Sequence, residues 1–303
     1  MSDILRSSFV RAAGLGLAGW LLAPGAARAQ KLDLANPDDA LKALRKVVAS
    51  LKDGEPKVFY FYGNVFSRVP GERDRHLFAY QAMNVRQTKT VSEPGKGYGY
   101  RMLSREVLLY QDPKTGEILR TWKNPWTGEE NEVLHVANDP VNQGPTFAQG
   151  PRGPYKFGAV FKDGWGSLGI EVPLFYTNVL GGEYQEYVGG TYQALEMFGF
   201  FFREDELLGP SDSATTNVSW TRASRWLPWM KMGDRVGYLL FSGYGGSVKA
   251  WDSLPESLRK EIETSYPTYK TPPPLDDNRP NDTSWTVFKK WIDAKRKETL
   301  PAK

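Results

Sequence analysis

The chain has no cysteine in 303 residues and only two histidines, His76 and His135. Without cysteine there is no thiolate nucleophile and no disulfide to brace the fold. Two histidines, with no H-x-x-x-H spacing, leave little for a metal, because bound transition ions draw on several His, Cys or carboxylate ligands. No P-loop and no nucleophile elbow is present; "WGSLG" carries Trp165 where the first glycine of an elbow would stand. "GKGYG", Gly95 to Gly99, leads into a strand pattern rather than a helix, so it is a hairpin turn and not a phosphate cradle. Neither a metal nor a cofactor is expected. Charge of one sign is lacking too: the formal net charge is +4 and no Lys/Arg run forms a patch. The nearest, "KRKE" from Lys295, lies at a helix end, where cations suit the dipole. Nucleic acid is not an expected partner.

The first thirty residues read as a leader. Arg6 and Arg11 precede the apolar run Ala12 to Ala23, which is too short to span a bilayer, and Ala27-Arg28-Ala29 is a small-x-small site. Cleavage before Gln30 is expected, giving a periplasmic protein. "LRSSFVR" matches a twin-arginine signal loosely, with Ser7 in place of the second arginine, so both export routes stay open. Loss of residues 1–29 removes three arginines and Asp3, leaving 36 basic against 34 acidic residues, a net charge of +2. No later apolar run is long enough for a transmembrane helix.

What remains is rich in aromatics, with 10 Trp, 15 Tyr and 15 Phe. Residues 36–52 fit a helix capped by Asn36, with Pro37 in the first turn and Leu41, Leu44, Val48 and Leu51 on one face. From Lys57 to Trp251 the period is two. "KVFYFYGNVFSRV", "HLFAYQAMNVRQTKTV", "YGYRMLSREVLLY", "EILRTWK" and "NEVLHVAN" are separated by short Gly/Pro/Asp turns, the mark of an antiparallel meander. Two of these runs are about 15 residues, roughly 50 Å when extended, so they must bend. The fold expected is mainly β: an antiparallel barrel or strongly curved, lipocalin-like sheet over 57–251, with helices at both ends. "REDELL" fits a short helical turn. Over 252–303, Leu254, Leu258 and Ile262, with Ser253 as a cap, and Trp285, Phe288, Trp291 and Ile292, mark two further helices. A proline-stiffened connector separates them. One domain from residue 30 to 303 is expected.

The polar residues out of place give the candidate site. In "GYGYRMLSREVLLYQD", Arg105 and Glu106 are adjacent within a strand, so they point to opposite faces. A buried charge left unpaired costs several kcal/mol, so each needs a partner on its own side. Ser104 and Glu106 share one face with Tyr100, Met102, Leu108 and Tyr110. Asn84 and Arg86 share a face of the preceding strand, and Arg86 is the natural partner for Glu106, with His135 and Arg222 as alternatives. His135, flanked by apolar residues on both faces, is either satisfied by the backbone or a neutral general base. "SWTRASRWLPWMKMG" supplies Trp220, Trp226 and Trp229 with Arg222, either as a core plug or as an aromatic wall with a cationic handle. Glu196 sits among apolar residues, where a carboxyl has its pKa raised.

Five stretches, "MNVRQ" at Met83, "RMLSREV" at Arg101, "NPWTG" at Asn124, "HVANDPV" at His135 and "PWMKMG" at Pro228, together resemble an exported bacterial family catalogued as domain of unknown function 1838. The resemblance covers most of the chain after about Gly54. It implies export and a shared domain but brings no catalytic residue with it.

Three functions fit these residues. The first is a binder of a small hydrophobic or aromatic molecule in an aromatic-lined cavity formed by Asn84, Arg86, Ser104, Glu196, Trp220, Arg222, Trp226 and Trp229. The second is a cofactor-independent isomerase, lyase or hydrolase with Glu106 and His135 as acid and base. The third is a structural envelope protein with a filled interior.

Overall fold

The computed structural model describes residues 31–176 and 191–299. The expected leader, 1–29, and nearly all of the stretch from Val179 to Tyr192, where the sequence predicts no element, lie outside the described residues.

Helix α1, Pro37–Val48, opens as expected: the Asn36 side chain accepts from the Asp38 and Asp39 N–H groups, and both aspartates stand in the first turn, where the dipole favours them. It ends short of residue 52 because Ala49 leaves helical geometry. Two of its basic residues are fully buried, contrary to a simple amphipathic reading. Arg45 donates to Ser50 O, Thr88 Oγ1, Thr90 Oγ1 and Tyr98 Oη and pairs with Asp53 at 2.8 Å. Lys46 Nζ donates to Glu206 O and Gly209 O.

Fourteen strands follow among the described residues: β1 Lys57–Arg68, β2 Arg75–Val91, β3 Gly99–Gln111, β4 Thr121–Lys123, β5 Glu130–Glu132, β6 Val136–Asn138, β7 Gln143–Phe147, β8 Gln149–Gly150, β9 Gly153–Pro154, β10 Val160–Lys162, β11 Trp165–Tyr176, β12 Tyr192–Arg203, β13 Thr216–Ser224 and β14 Tyr238–Val248. Helices α2 Glu204–Leu208, α3 Glu256–Ser265 and α4 Ser284–Thr299 complete the described chain. Ser253 does not cap α3; it lies in the 3-10 turn Trp251–Ser253, and Pro255 holds the cap position. Leu254, Leu258 and Ile262 do bury against β1–β3, and Trp285, Phe288 and Ile292 of α4 bury in another part of the core.

Ten strands form one antiparallel sheet in the order β10-β11-β12-β13-β14-β1-β2-β3-β6, with β7 also on β3. The first and last long strands, β1 and β14, are neighbours, so the free edges fall in the middle of the chain. Among the described residues no closed barrel is found. The physical reason is the chain between β3 and β10. The fourth and fifth expected strands leave the sheet: β4 and β5 pair only with each other, as do β8 and β9. What returns to β3, β6 and β7, is three and five residues long, too short to carry the ladder onward.

The sheet nevertheless curls. Tyr100 and Met102 of β3 share a core cluster with Leu168, Phe200, Phe202 and Val218. Four strands separate β3 from β12 in the sheet order, and at about 4.8 Å per strand a flat sheet would hold those residues roughly 24 Å apart. Glycines supply part of the bend. Gly63 faces Gly243 across β1 and β14, with Tyr80 and Trp220 next in the same row. The Tyr80 ring lies over both glycines and meets Trp220 edge-on at 5.8 Å. A Cβ on Gly243 would stand 1.8 Å from Tyr80 Oη. Gly243→Ala is therefore expected to destabilise the fold by about 1–3 kcal/mol through overpacking, measured as a lower denaturant midpoint at unchanged slope.

Candidate functional site

The inner face of the curled sheet encloses a cavity of about 450 Å³. Strand alternation decides what lines it. From β2 come Asn84 and Arg86, from β3 Ser104 and Glu106, from β12 Glu196, and from β13 Trp220 and Arg222. Apolar walls come from Phe61, Met102, Ile170, Val172, Phe198 and Phe200. Seven of the ten residues selected from sequence thus meet at one hollow.

Glu106 lies in register between Asn84 and Asn138. Its Oε1 accepts from Asn138 Nδ2 at 2.6 Å. Burial pushes its carboxyl above the ordinary range, and Glu196 adds to that. The Asn138 hydrogen bond and the charges of Arg222 and Arg86 pull the other way. Arg86 is not its ion-pair partner. Arg86 Nε donates to Asn84 Oδ1 at 2.6 Å, Nη1 reaches Val48 O at 3.5 Å, and the guanidinium lies 4.5 Å from the centre of the Phe59 ring. Burial lowers its pKa to about 10. Arg222 is the paired cation: Nη1 meets Glu196 Oε1 at 2.7 Å and Nη2 meets Tyr192 Oη at 2.5 Å. Ser104 Oγ donates to Val141 O, fastening the segment after β6 to β3.

On the other face Arg105 finds what Glu106 finds inside. Its Nε pairs with Asp139 at 2.8 Å, and its Nη1 donates to Thr268 O, Thr271 O and Pro272 O. Adjacent charges on β3 are therefore held by adjacent residues, Asn138 and Asp139, at the end of β6. The sequence marks Asn138-Asp139-Pro140 as a turn-former, with Asp139 also able to orient an imidazole; the signal overlooked is that the pair stands at a strand end and alternates sides as Arg105-Glu106 does.

Three residues do not join the site. His135 is outside the cavity lining: its Nδ1 accepts from the Tyr110 N–H at 3.1 Å, so it satisfies the backbone at the edge of β3. Burial, with Arg120 nearby, lowers its pKa to about 4. The expectation of Glu106 and His135 as an acid–base pair is corrected accordingly. Trp226 and Trp229 pack in the core. The Trp226 indole donates to Arg235 O at 2.9 Å. Trp229 contacts Phe78, Tyr110 and Trp122 at 5.5–5.8 Å. Asn124 and Asn131 both donate to Met230 O, so "NPWTG" and "PWMKMG" close this plug together. Among the described residues, no group of three or more His, Cys, Asp or Glu side chains is placed to hold a metal ion. No described helix is long and apolar enough to cross a membrane.

The raised Glu106 carboxyl carries a sign. The folded chain holds this proton at pH values where the unfolded chain has released it, so the Glu106 contribution to stability is complete at acid pH and is lost as pH rises through the folded pKa. Glu106→Gln removes that slope while keeping an acceptor for Asn138. Its stability relative to wild type should rise with pH when urea midpoints are compared from pH 4 to 8; a constant difference would contradict the assignment.

No curated protein matches the sequence. A family model described as a protein of unknown function, DUF1838, matches residues 54–292, a span that takes in every residue of the cavity named above. The chain belongs to that family.

Proposed function

We propose that this protein, exported through its leader to the periplasm, binds a small apolar or aromatic molecule in the hollow of the curled sheet. The cavity itself is the observation that carries this reading. At about 450 Å³ it falls within the range of ligand pockets, which are mostly apolar with a few convergent polar groups. Folded interiors otherwise keep few voids larger than a water molecule, which weighs against a structural envelope protein with a filled interior. Apolar walls from β11, β12 and β13 face a polar strip from β2 and β3, which suits a molecule with an apolar body and one polar end.

A second reading rests on Glu106. A carboxyl raised by burial and flanked by two arginines is suited to proton transfer, so an isomerase, lyase or hydrolase acting on the same class of molecule is the alternative. Glu106 would then serve without His135.

Protein recovered from the periplasm should release a molecule of this class on denaturing extraction, identified by mass spectrometry. Val172→Trp, which fills the hollow, should lose it while its far-UV circular dichroism stays unchanged. Equal retention by Val172→Trp would overturn the reading. Glu106→Gln should retain the molecule in either case, and should abolish turnover only if the enzyme reading holds.

A further inference from the structure

Among the described residues, the hydrogen-bonding capacity left over at the cavity is mainly of donors: beside the Tyr80 hydroxyl, which can donate or accept, stand three groups of one kind. Arg86 uses Nε on Asn84 and Nη1 on Val48 O, and nothing described accepts from Nη2. The Arg222 Nε and the Trp220 Nε1 are buried without a partner among the described residues. All three groups can only donate. An unpaired buried donor is costly, more so a charged one, so what completes the site must bring acceptors.

The charges lean the same way. Arg222 and Glu196 cancel at 2.7 Å. Arg86 has no carboxylate within 4.0 Å among the described residues. Lys57, in register opposite Arg86 on β1, is buried with no carboxylate of its own and donates to Lys46 O, Val47 O and Ala214 O; burial, with Arg86 beside it, lowers its pKa to about 7, so at neutral pH it adds only part of a positive charge. Glu106, the remaining acid at the cavity, gives one oxygen to Asn138, and burial favours its neutral form. Arg86 is also held ready: Asn84 fixes Nε and the Phe59 ring covers one face of the guanidinium, which leaves the Nη2 edge for a bidentate or single charged hydrogen bond.

Resting on the cavity-binding reading, we propose that Arg86 is the anion receptor of this cavity and that its ligand is an apolar or aromatic carboxylic acid, bound as the carboxylate on Arg86. The apolar body lies against Ile170, Val172, Phe198 and Phe200. Arg222, committed to Glu196 and Tyr192, shapes the site without taking the carboxylate.

A matched pair of probes separates this claim from the one beneath it. 2-Naphthoate and 2-naphthamide share a body and differ in charge, and their binding to the full mature chain is measured by calorimetry at pH 7. The proposal expects naphthoate to bind about tenfold tighter or better, and Arg86→Gln to erase that preference while the amide binds as before. Equal affinity for both probes would overturn the carboxylate assignment and leave the cavity-binding reading intact. Binding of neither would overturn both. A preference that persists in Arg86→Gln would place the receptor on another cation. If Arg86→Gln does not fold, Arg86→Lys replaces it: a point charge without the fork should keep the preference but reduce it, and an undiminished preference would again overturn the role of Arg86.

Discussion

Two opposite charges one residue apart on a strand that is covered on both faces impose the constraint on which the rest of this structure depends. Arg105 and Glu106 cannot pair with each other, because the pleat sends them to opposite sides. Each must be satisfied where it points, and a register slip of one residue would bury both among the wrong neighbours. The short strand β6 resolves this by ending at Asn138, with Asp139 next in the chain, one for each side. Charges paired in this way add little net stability but pin register strongly.

Both layers follow from that registration. Outside, the connector after α3 is strapped to β3, with three of its carbonyls on Arg105 and with Arg279 bridging Asp277 and Asp139. Arg120 and Glu261 add a bidentate pair between α3 and the segment after β3. Inside, Glu106 stands in the hollow beside Asn84, with Arg86 and Ser104 one step along the same face. The paired glycines of β1 and β14 let Tyr80 and Trp220 meet over them, and the curl brings Glu196 and Arg222 round to the same space. The cavity is thus a consequence of sheet curvature combined with unlike faces on opposite walls, polar from β2–β3 and largely apolar from β11–β13.

Much of this is legible in the chain. Period-two alternation identifies the long strands and places Asn84, Arg86, Ser104 and Glu106 on shared faces, because a covered sheet leaves little freedom about which side a residue takes. The helix around Asn36-Pro37 and the C-terminal stripe of Trp285, Phe288 and Ile292 are equally plain, since caps and 3.6-residue periodicity are local. What the chain conceals depends on contacts distant in sequence. Nothing near Arg45 or Lys46 announces that both are buried, because their acceptors lie in strands and turns that only the fold assembles. Closure of the barrel is overestimated because β4 and β5 carry a strand pattern yet pair only with each other. His135 reads equally as base or backbone partner, and the choice turns on a single N–H of Tyr110 that no pattern reveals.

The central claim is that β6 holds both charges of β3 as one unit, and a double-mutant cycle in urea between Arg105→Met and Asn138→Ala tests it most directly. The two side chains lie on opposite faces and do not touch, so independent roles would give additive losses within about 0.3–0.5 kcal/mol. The account predicts non-additivity: releasing β6 on one face already forfeits much of its hold on the other, and the double variant should lose less than the sum of the singles by about 1 kcal/mol or more. Strict additivity would contradict it.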